Sequence, residues 1–180
     1  VEALKKWWKE NGRSIVVGVV LGLGAVFGWQ GWTQHQDQVV SQASLRYEKM
    51  AVAIRGGDSE SVLKQGERII NEWPDSSYAV FASLDMAKLK LTQGDTDAAK
   101  KHYEWVLANA QEPSLKQLAR LRLGRVLLGG GDVKGAEAMV AEADRDNYSG
   151  EFAALRGDIA QAKKDYAAAR IAYMEALNSE

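Results

Sequence analysis

The sequence predicts an all-α protein, in which one N-terminal transmembrane helix is followed by antiparallel helical hairpins stacked as an α-solenoid. Three observations predict this fold: an uncharged apolar run at residues 15–32, turn segments that recur at near-constant spacing after it, and a composition with only two prolines in 180 residues. The predicted organisation is a cytoplasmic basic flank at 1–14, a transmembrane helix at 15–32 and a repeat domain at 33–180.

The predicted transmembrane helix reads IVVGVVLGLGAVFGWQGW, and Gln30 is its single polar side chain. As an α-helix this run would span roughly 27 Å, which is close to the hydrocarbon thickness of a lipid bilayer. Indole rings favour the interface between membrane and water, and four tryptophans stand before the run or at its end: Trp7, Trp8, Trp29 and Trp32. The run therefore predicts a helix that crosses the bilayer.

Basic residues stand on one side of this run only. Lys5, Lys6, Lys9 and Arg13 precede it, and no Lys or Arg follows until Arg46. This asymmetry predicts a cytoplasmic N-terminus, with residues 33–180 on the opposite side of the membrane. A cleaved signal peptide has a similar layout, but the run is long for one, and bulky residues follow it where a cleavage site would need small ones.

Glycines within the run allow a further prediction. Gly18 and Gly22 are four residues apart, as are Gly24 and Gly28. Small residues at this spacing let a second membrane helix approach closely and pack. We expect a specific helix–helix contact at these glycines. The alternative is that they only reflect the high glycine content that is common in membrane helices.

After the run, residues 33–55 predict a further helix. Their apolar side chains recur at helical spacing, and the polar segment 34–38 contains neither Gly nor Pro. This helix is expected to extend the anchor helix or to follow it after a bend.

Turn segments divide residues 44–178 into repeated units. Gly57-Asp58, Gly94-Asp95 and Gly131-Asp132 lie 37 residues apart, and a weaker break at Lys164-Asp165 follows after 33 more. A small or medium-sized apolar residue recurs five positions after each turn: Val62, Ala99, Ala136 and Ala169. Such a period predicts stacked helical hairpins, with a generic antiparallel bundle as the alternative.

Composition and motifs point away from catalysis and from nucleic acids. Residues 33–180 carry 19 basic and 22 acidic side chains with the signs interspersed, so no basic surface for nucleic acid is expected. The chain has no Cys, and its two histidines, His35 and His102, belong to different predicted helices. No nucleophile elbow or phosphate loop occurs. We expect a non-enzymatic protein without a cofactor or a metal.

The remaining candidate for a functional site is a binding groove. In stacked hairpins the first helix of each pair lines the inner face, which commonly receives a peptide or a partner helix. The side chains that point to this inner face would form an apolar groove with one cation in each of the last two units. The alternative is that these side chains bury against one another. The predicted groove residues are Tyr47, Ile54, Phe81, Leu84, Lys88, Leu91, Leu118, Leu121, Arg125 and Leu128.

The units resemble the tetratricopeptide repeat (TPR), although Ser83 stands where that repeat usually has Trp and Lys90 where it usually has Tyr. The matching positions are Gly94, Asp95, Ala99, Tyr103 and Leu107, and Tyr166, Ala169, Tyr173, Ala176 and Leu177. Over nearly its whole length the chain also resembles the ancillary subunit family of the bacterial Sec translocon. The similarity includes WWKENGRSIVVGVVLGLGAVFGWQGW, SYAVFASLDMAKLKLTQGDTDAAKKHYEWVLA and LARLRLGRVLLGGGDVKGAEAMV.

That resemblance implies a single-pass protein of the bacterial inner membrane with a periplasmic TPR-like domain. The implied partners are the Sec translocon channel, a membrane-anchored, prolyl-isomerase-like periplasmic chaperone, and unfolded client proteins that have just been translocated. The family has no catalytic residues, so the resemblance implies none in this chain. The alternative is a membrane-anchored TPR scaffold that organises a different cell-envelope complex.

Overall fold

The computed structural model describes residues 2–143 and 148–179, with side chains at scattered positions up to residue 17 and then at 18–30, 32–33, 40–143 and 148–179. Every regular element in these ranges is an α-helix, and the chain forms two compact units, Val1–Gln42 and Ala43–Glu180. The helices are α1 (Glu2–Gly56), α2 (Ser59–Glu72), α3 (Ser77–Thr92), α4 (Thr96–Asn109), α5 (Pro113–Gly129), α6 (Val133–Ala141), α7 (Ser149–Ala162) and α8 (Tyr166–Leu177).

The first unit consists of α1 up to Gln42, so the backbone of residues 15–32 is helical as predicted. The described apolar side chains between residues 18 and 30, among them Leu21 and Phe27, are exposed, and the rings of Trp29 and Trp32 lie 5.5 Å apart. Within the described residues, no helical stretch is at once long and apolar enough to span a membrane. The helix predicted at residues 15–32 is thus present, and its crossing of a bilayer stays a prediction.

In the second unit, one turn structure occurs four times. The φ angle is positive at Gly57, Gly94, Gly131 and Lys164, at +70°, +77°, +84° and +64°. The Asp that follows donates its backbone N–H to a carbonyl five residues earlier, as from Asp95 to Lys90, which is the Schellman closure of a helix end. Its carboxylate then accepts a hydrogen bond from the N–H three residues later, at 2.9–3.1 Å, and so caps the next helix. All four predicted turns are confirmed.

Close packing between helices explains the small residues of the pattern. The positions five residues after each turn, Val62, Ala99, Ala136 and Ala169, are all buried. A Cβ added at Gly124 would lie 2.8 Å from Cδ2 of Leu155, so α5 packs closely against α7 and a larger residue would require the Leu155 side chain to shift. These contacts contribute to three apolar core clusters, centred on Met50 and Ile69, on Leu84 and Val106, and on Leu121 and Phe152.

Ser83, which departs from the usual TPR pattern, is accommodated by a hydrogen bond. The side chain is fully buried, and its Oγ donates to the backbone carbonyl oxygen of His102 at 3.0 Å. Since a buried hydroxyl without a partner would be costly, this bond lets a small polar residue stand where a large aromatic one is usual.

Candidate partner-binding groove

The structure divides the ten predicted groove residues into two groups. Leu84 and Leu121 are buried in two of the core clusters, because α3 and α5 are covered by neighbouring helices on several sides. Their assignment to the groove is therefore wrong, and they belong to the hydrophobic core. The other eight retain access to solvent, and their binding role stays a prediction: Tyr47, Ile54, Phe81, Lys88, Leu91, Leu118, Arg125 and Leu128.

Two neighbouring clefts run along the first helices of the hairpins. The first has a volume of about 160 Å³ and lies between the end of α1, the start of α2 and one face of α3. Its apolar wall includes Ala53, Ile54 and Leu89, and its polar groups include Asp85 and Lys88. It is small and mostly apolar, which suits one apolar side chain of a ligand.

An aromatic cluster lies between α1 and α3. The rings of Tyr47, Tyr78 and Phe81 lie 5.7–6.2 Å apart, which is a favourable distance for edge and tilted contacts. The Tyr47 hydroxyl donates to Oδ2 of Asp85 at 2.9 Å. Burial, this hydrogen bond and the Asp85 charge all raise the pKa of Tyr47, so its hydroxyl stays protonated and holds the carboxylate.

The second cleft, of about 400 Å³, lies between α3, α4 and α5. It is lined by Lys88, Leu91, Tyr103, Arg122, Arg125 and Val126, so Lys88 lines both clefts. Burial raises the pKa of the Tyr103 hydroxyl, while the charge of Arg122 and its hydrogen bond to Tyr103 act in the opposite direction. The second cleft thus combines three cationic side chains with apolar walls.

Sequence reasoning missed Asp85 and Arg122, which line these clefts. Helical spacing could have indicated Arg122, because it lies three residues before the predicted Arg125 and so shares a face of α5 with it. No local pattern marks Asp85, since its position depends on the packing of α1 against α3.

In the first unit, Gly18, Gly22, Gly24 and Gly28 have open surroundings, and an added Cβ at any of them would meet nothing within 4 Å. The predicted contact with a second helix therefore stays a prediction. Within residues 2–143 and 148–179, no three His, Asp or Glu side chains converge as metal ligands would.

Comparisons with known proteins match the chain over nearly its full length. The family model described as a tetratricopeptide repeat-like domain matches residues 5–180. A protein of Haemophilus influenzae named "Ancillary SecYEG translocon subunit" is 32% identical over 179 residues, which cover 99% of this chain and 87% of that protein. Proteins of the same name from Escherichia coli and Neisseria gonorrhoeae are 31% and 26% identical, over 100% and 99% of this chain and 86% and 83% of their own lengths.

Proposed function

We propose that this chain is a non-catalytic accessory subunit of the bacterial Sec translocon, because it belongs to the tetratricopeptide repeat-like family of ancillary SecYEG translocon subunits. The observation that carries the proposal is the extent of the similarity, since relatives with this name match both the apolar helix and the repeats.

In this proposal, residues 15–32 anchor the chain in the inner membrane, with residues 1–14 in the cytoplasm and residues 33–180 in the periplasm. The apolar side chains that the first unit exposes support an anchor, because in water they would form an unusually large uncovered apolar surface. The basic residues before the run support the orientation.

The first and second clefts together are the proposed partner site. They would receive segments of the membrane-anchored, prolyl-isomerase-like chaperone or of client proteins that emerge from the channel. Confinement to the same membrane raises the effective concentration of such partners, so contacts that are weak individually suffice for binding. This argument fits clefts that are modest in size and open to solvent.

Photo-crosslinking in intact membranes tests the proposal. Leu91→benzoylphenylalanine places the crosslinker in the second cleft, and Lys101→benzoylphenylalanine places it on an exposed position of α4 that lines neither cleft. We expect the Leu91 variant to form adducts with translocon subunits, with the chaperone or with several clients, and the Lys101 variant to form far fewer.

Two results would contradict the proposal. If purification in mild detergent retained no translocon subunit, the accessory role would be lost. If the Leu91 variant gave one fixed adduct with an envelope protein outside the Sec system, the chain would act as a scaffold of a different complex.

A further inference from the structure

The three cations of the second cleft have no acidic partner in the described part of the chain. Lys88, Arg122 and Arg125 line the cleft, and no carboxylate lines it with them. None of the ion pairs among the described residues includes any of the three. The side chains of Lys88 and Arg125 are exposed, so their charged groups are accessible to a ligand.

A third cleft, between α6, α7 and α8, offers a comparison, because its lining cations have acidic partners. Lys163 lines that cleft together with Glu137, and their Nζ and Oε1 atoms are 2.6 Å apart. Arg156 lines it too and pairs with Glu175 at 2.7 Å. The second cleft therefore differs from the third, whose lining cations each pair with a carboxylate.

This arrangement has a physical cost that an anionic ligand would remove. Arg122 and Arg125 are three residues apart on α5, so their like charges lie on one face of the helix and repel each other. One carboxylate between them would replace repulsion by attraction. Each guanidinium also offers several N–H donors in a planar array, which suits bidentate binding of a carboxylate.

The walls of the clefts favour a peptide over other anions. Leu91 and Val126 give the second cleft apolar surface, and the first cleft adjoins it at Lys88 with a mostly apolar wall. Asp85 in the first cleft would repel a carboxylate there and so directs acidic groups to the second. The acidic balance of residues 33–180, with 22 acidic against 19 basic side chains, disfavours long polyanions such as nucleic acids.

We propose that the two clefts bind an extended acidic segment of a partner protein. Its carboxylates contact Lys88, Arg122 and Arg125 in the second cleft, and an apolar side chain of the segment fills the first cleft. This inference rests on the proposed function, because it specifies the class of segment that the partner site recognises.

Fluorescence anisotropy with the full chain in neutral detergent tests the inference. The probe is a labelled peptide, IELEAD, and the matched control peptide is IQLQAN, which keeps the size and removes the carboxylates. We expect IELEAD to bind about tenfold more tightly at low ionic strength, and the difference to shrink in high salt.

Matched variants locate the site. Lys88→Gln with Arg125→Gln should weaken IELEAD binding about tenfold, because two charge-assisted contacts are lost. Lys101→Gln with Arg170→Gln removes the same charge from exposed positions that line none of these clefts, and should leave binding within about twofold. Lys88→Arg with Arg125→Lys keeps the charge and should retain binding. Thermal melting monitored by circular dichroism verifies that each variant is folded.

Equal binding of IELEAD and IQLQAN would overturn the inference, as would equal losses in the cleft variant and its charge-matched control. Displacement of the peptide by inorganic polyphosphate or by anionic lipid vesicles, at equal charge concentration, would show a general anion site and would also overturn it. If Leu91 adducts with the translocon persist while the two peptides bind equally, the inference fails and the proposed function stands. If the chain binds IELEAD more tightly than IQLQAN but retains no translocon subunit during purification, the inference stands and the proposed function fails.

Discussion

The two units differ in how far their apolar side chains are exposed to solvent. In the first unit Phe27 is 66% exposed, whereas in the second Phe152 is 1% exposed within a core cluster. Both residues lie on α-helices, so secondary structure does not cause the difference. The second unit buries three clusters of apolar side chains in its own chain, while the apolar surface of the first needs cover from its surroundings. The proposed bilayer supplies that cover.

Glycines show the same contrast. Gly18, Gly22, Gly24 and Gly28 in the first unit have open surroundings, whereas an added Cβ at Gly157 in the second would overlap the ring of Tyr173. Packing within the chain thus explains the glycine at Gly157, whereas it does not explain these four glycines of the first unit. Three matched pairs of substitutions probe the contrast between the units, and a fourth pair compares two turns within the repeats.

The largest expected effect comes from deleting a buried ring. Phe152→Ala should lower the free energy of unfolding of the repeats by about 3–5 kcal/mol, because it removes core contacts and leaves a cavity. Phe27→Ala, the exposed counterpart, should leave the melting transition unchanged. Chemical denaturation of the full chain in detergent measures both, and equal losses would contradict the separation of the two units.

A charge in the apolar run is expected to affect insertion of this run into the membrane and not the stability of the repeats. Leu23→Lys should disfavour membrane insertion by about 2.5–3.5 kcal/mol, the cost of a lysine near the centre of a membrane helix. Leu45→Lys is the control, because Leu45 is 59% exposed in the second unit and Leu23 is 51% exposed in the first. Carbonate extraction of membranes measures the retained fraction, and a larger loss for Leu45→Lys would refute the assignment.

Crowding at a glycine should give a smaller effect. Gly157→Ala should destabilise the repeats by about 1–3 kcal/mol, because the added methyl group forces Tyr173 to move. Gly22→Ala, at an open position of the first unit, should leave their melting temperature unchanged. A shift of the same size in both variants would show that packing within the chain does not explain the contrast.

The smallest expected effect concerns the fourth turn. Lys164 adopts a φ of +64°, which costs a residue with a Cβ about 1 kcal/mol relative to Gly. Lys164→Gly should therefore stabilise the repeats by about 1 kcal/mol, and Gly131→Lys should destabilise them by a similar amount. Thermal melting distinguishes these signs, and a destabilising Lys164→Gly would show that the Lys164 side chain contributes more than its backbone costs.

The elements that the sequence predicts well are those set by local chemistry. A residue with positive φ and a capping Asp fix each turn, so even the fourth, with Lys164 in place of Gly, could be located from Asp165 and the spacing. The site is less predictable because burial depends on distant helices. Leu84 and Leu121 occupy inward positions of their units, yet neighbouring helices cover them. Asp85 could not be found, since its role depends on a hydrogen bond from Tyr47, 38 residues earlier.

Labelling of single cysteines is the most direct test of the central claim, that lipid covers the first unit and that the repeats lie outside the cytoplasm. The chain has no cysteine of its own, so Lys5→Cys, Leu21→Cys and Glu104→Cys can each be probed alone in spheroplasts with a membrane-impermeant maleimide. We predict rapid labelling of Glu104→Cys, labelling of Lys5→Cys only after permeabilisation, and none of Leu21→Cys in either condition. Since the Leu21 side chain is 68% exposed in the chain itself, its protection would be due to the membrane. Labelling of Leu21→Cys as fast as Glu104→Cys in intact spheroplasts would contradict the account.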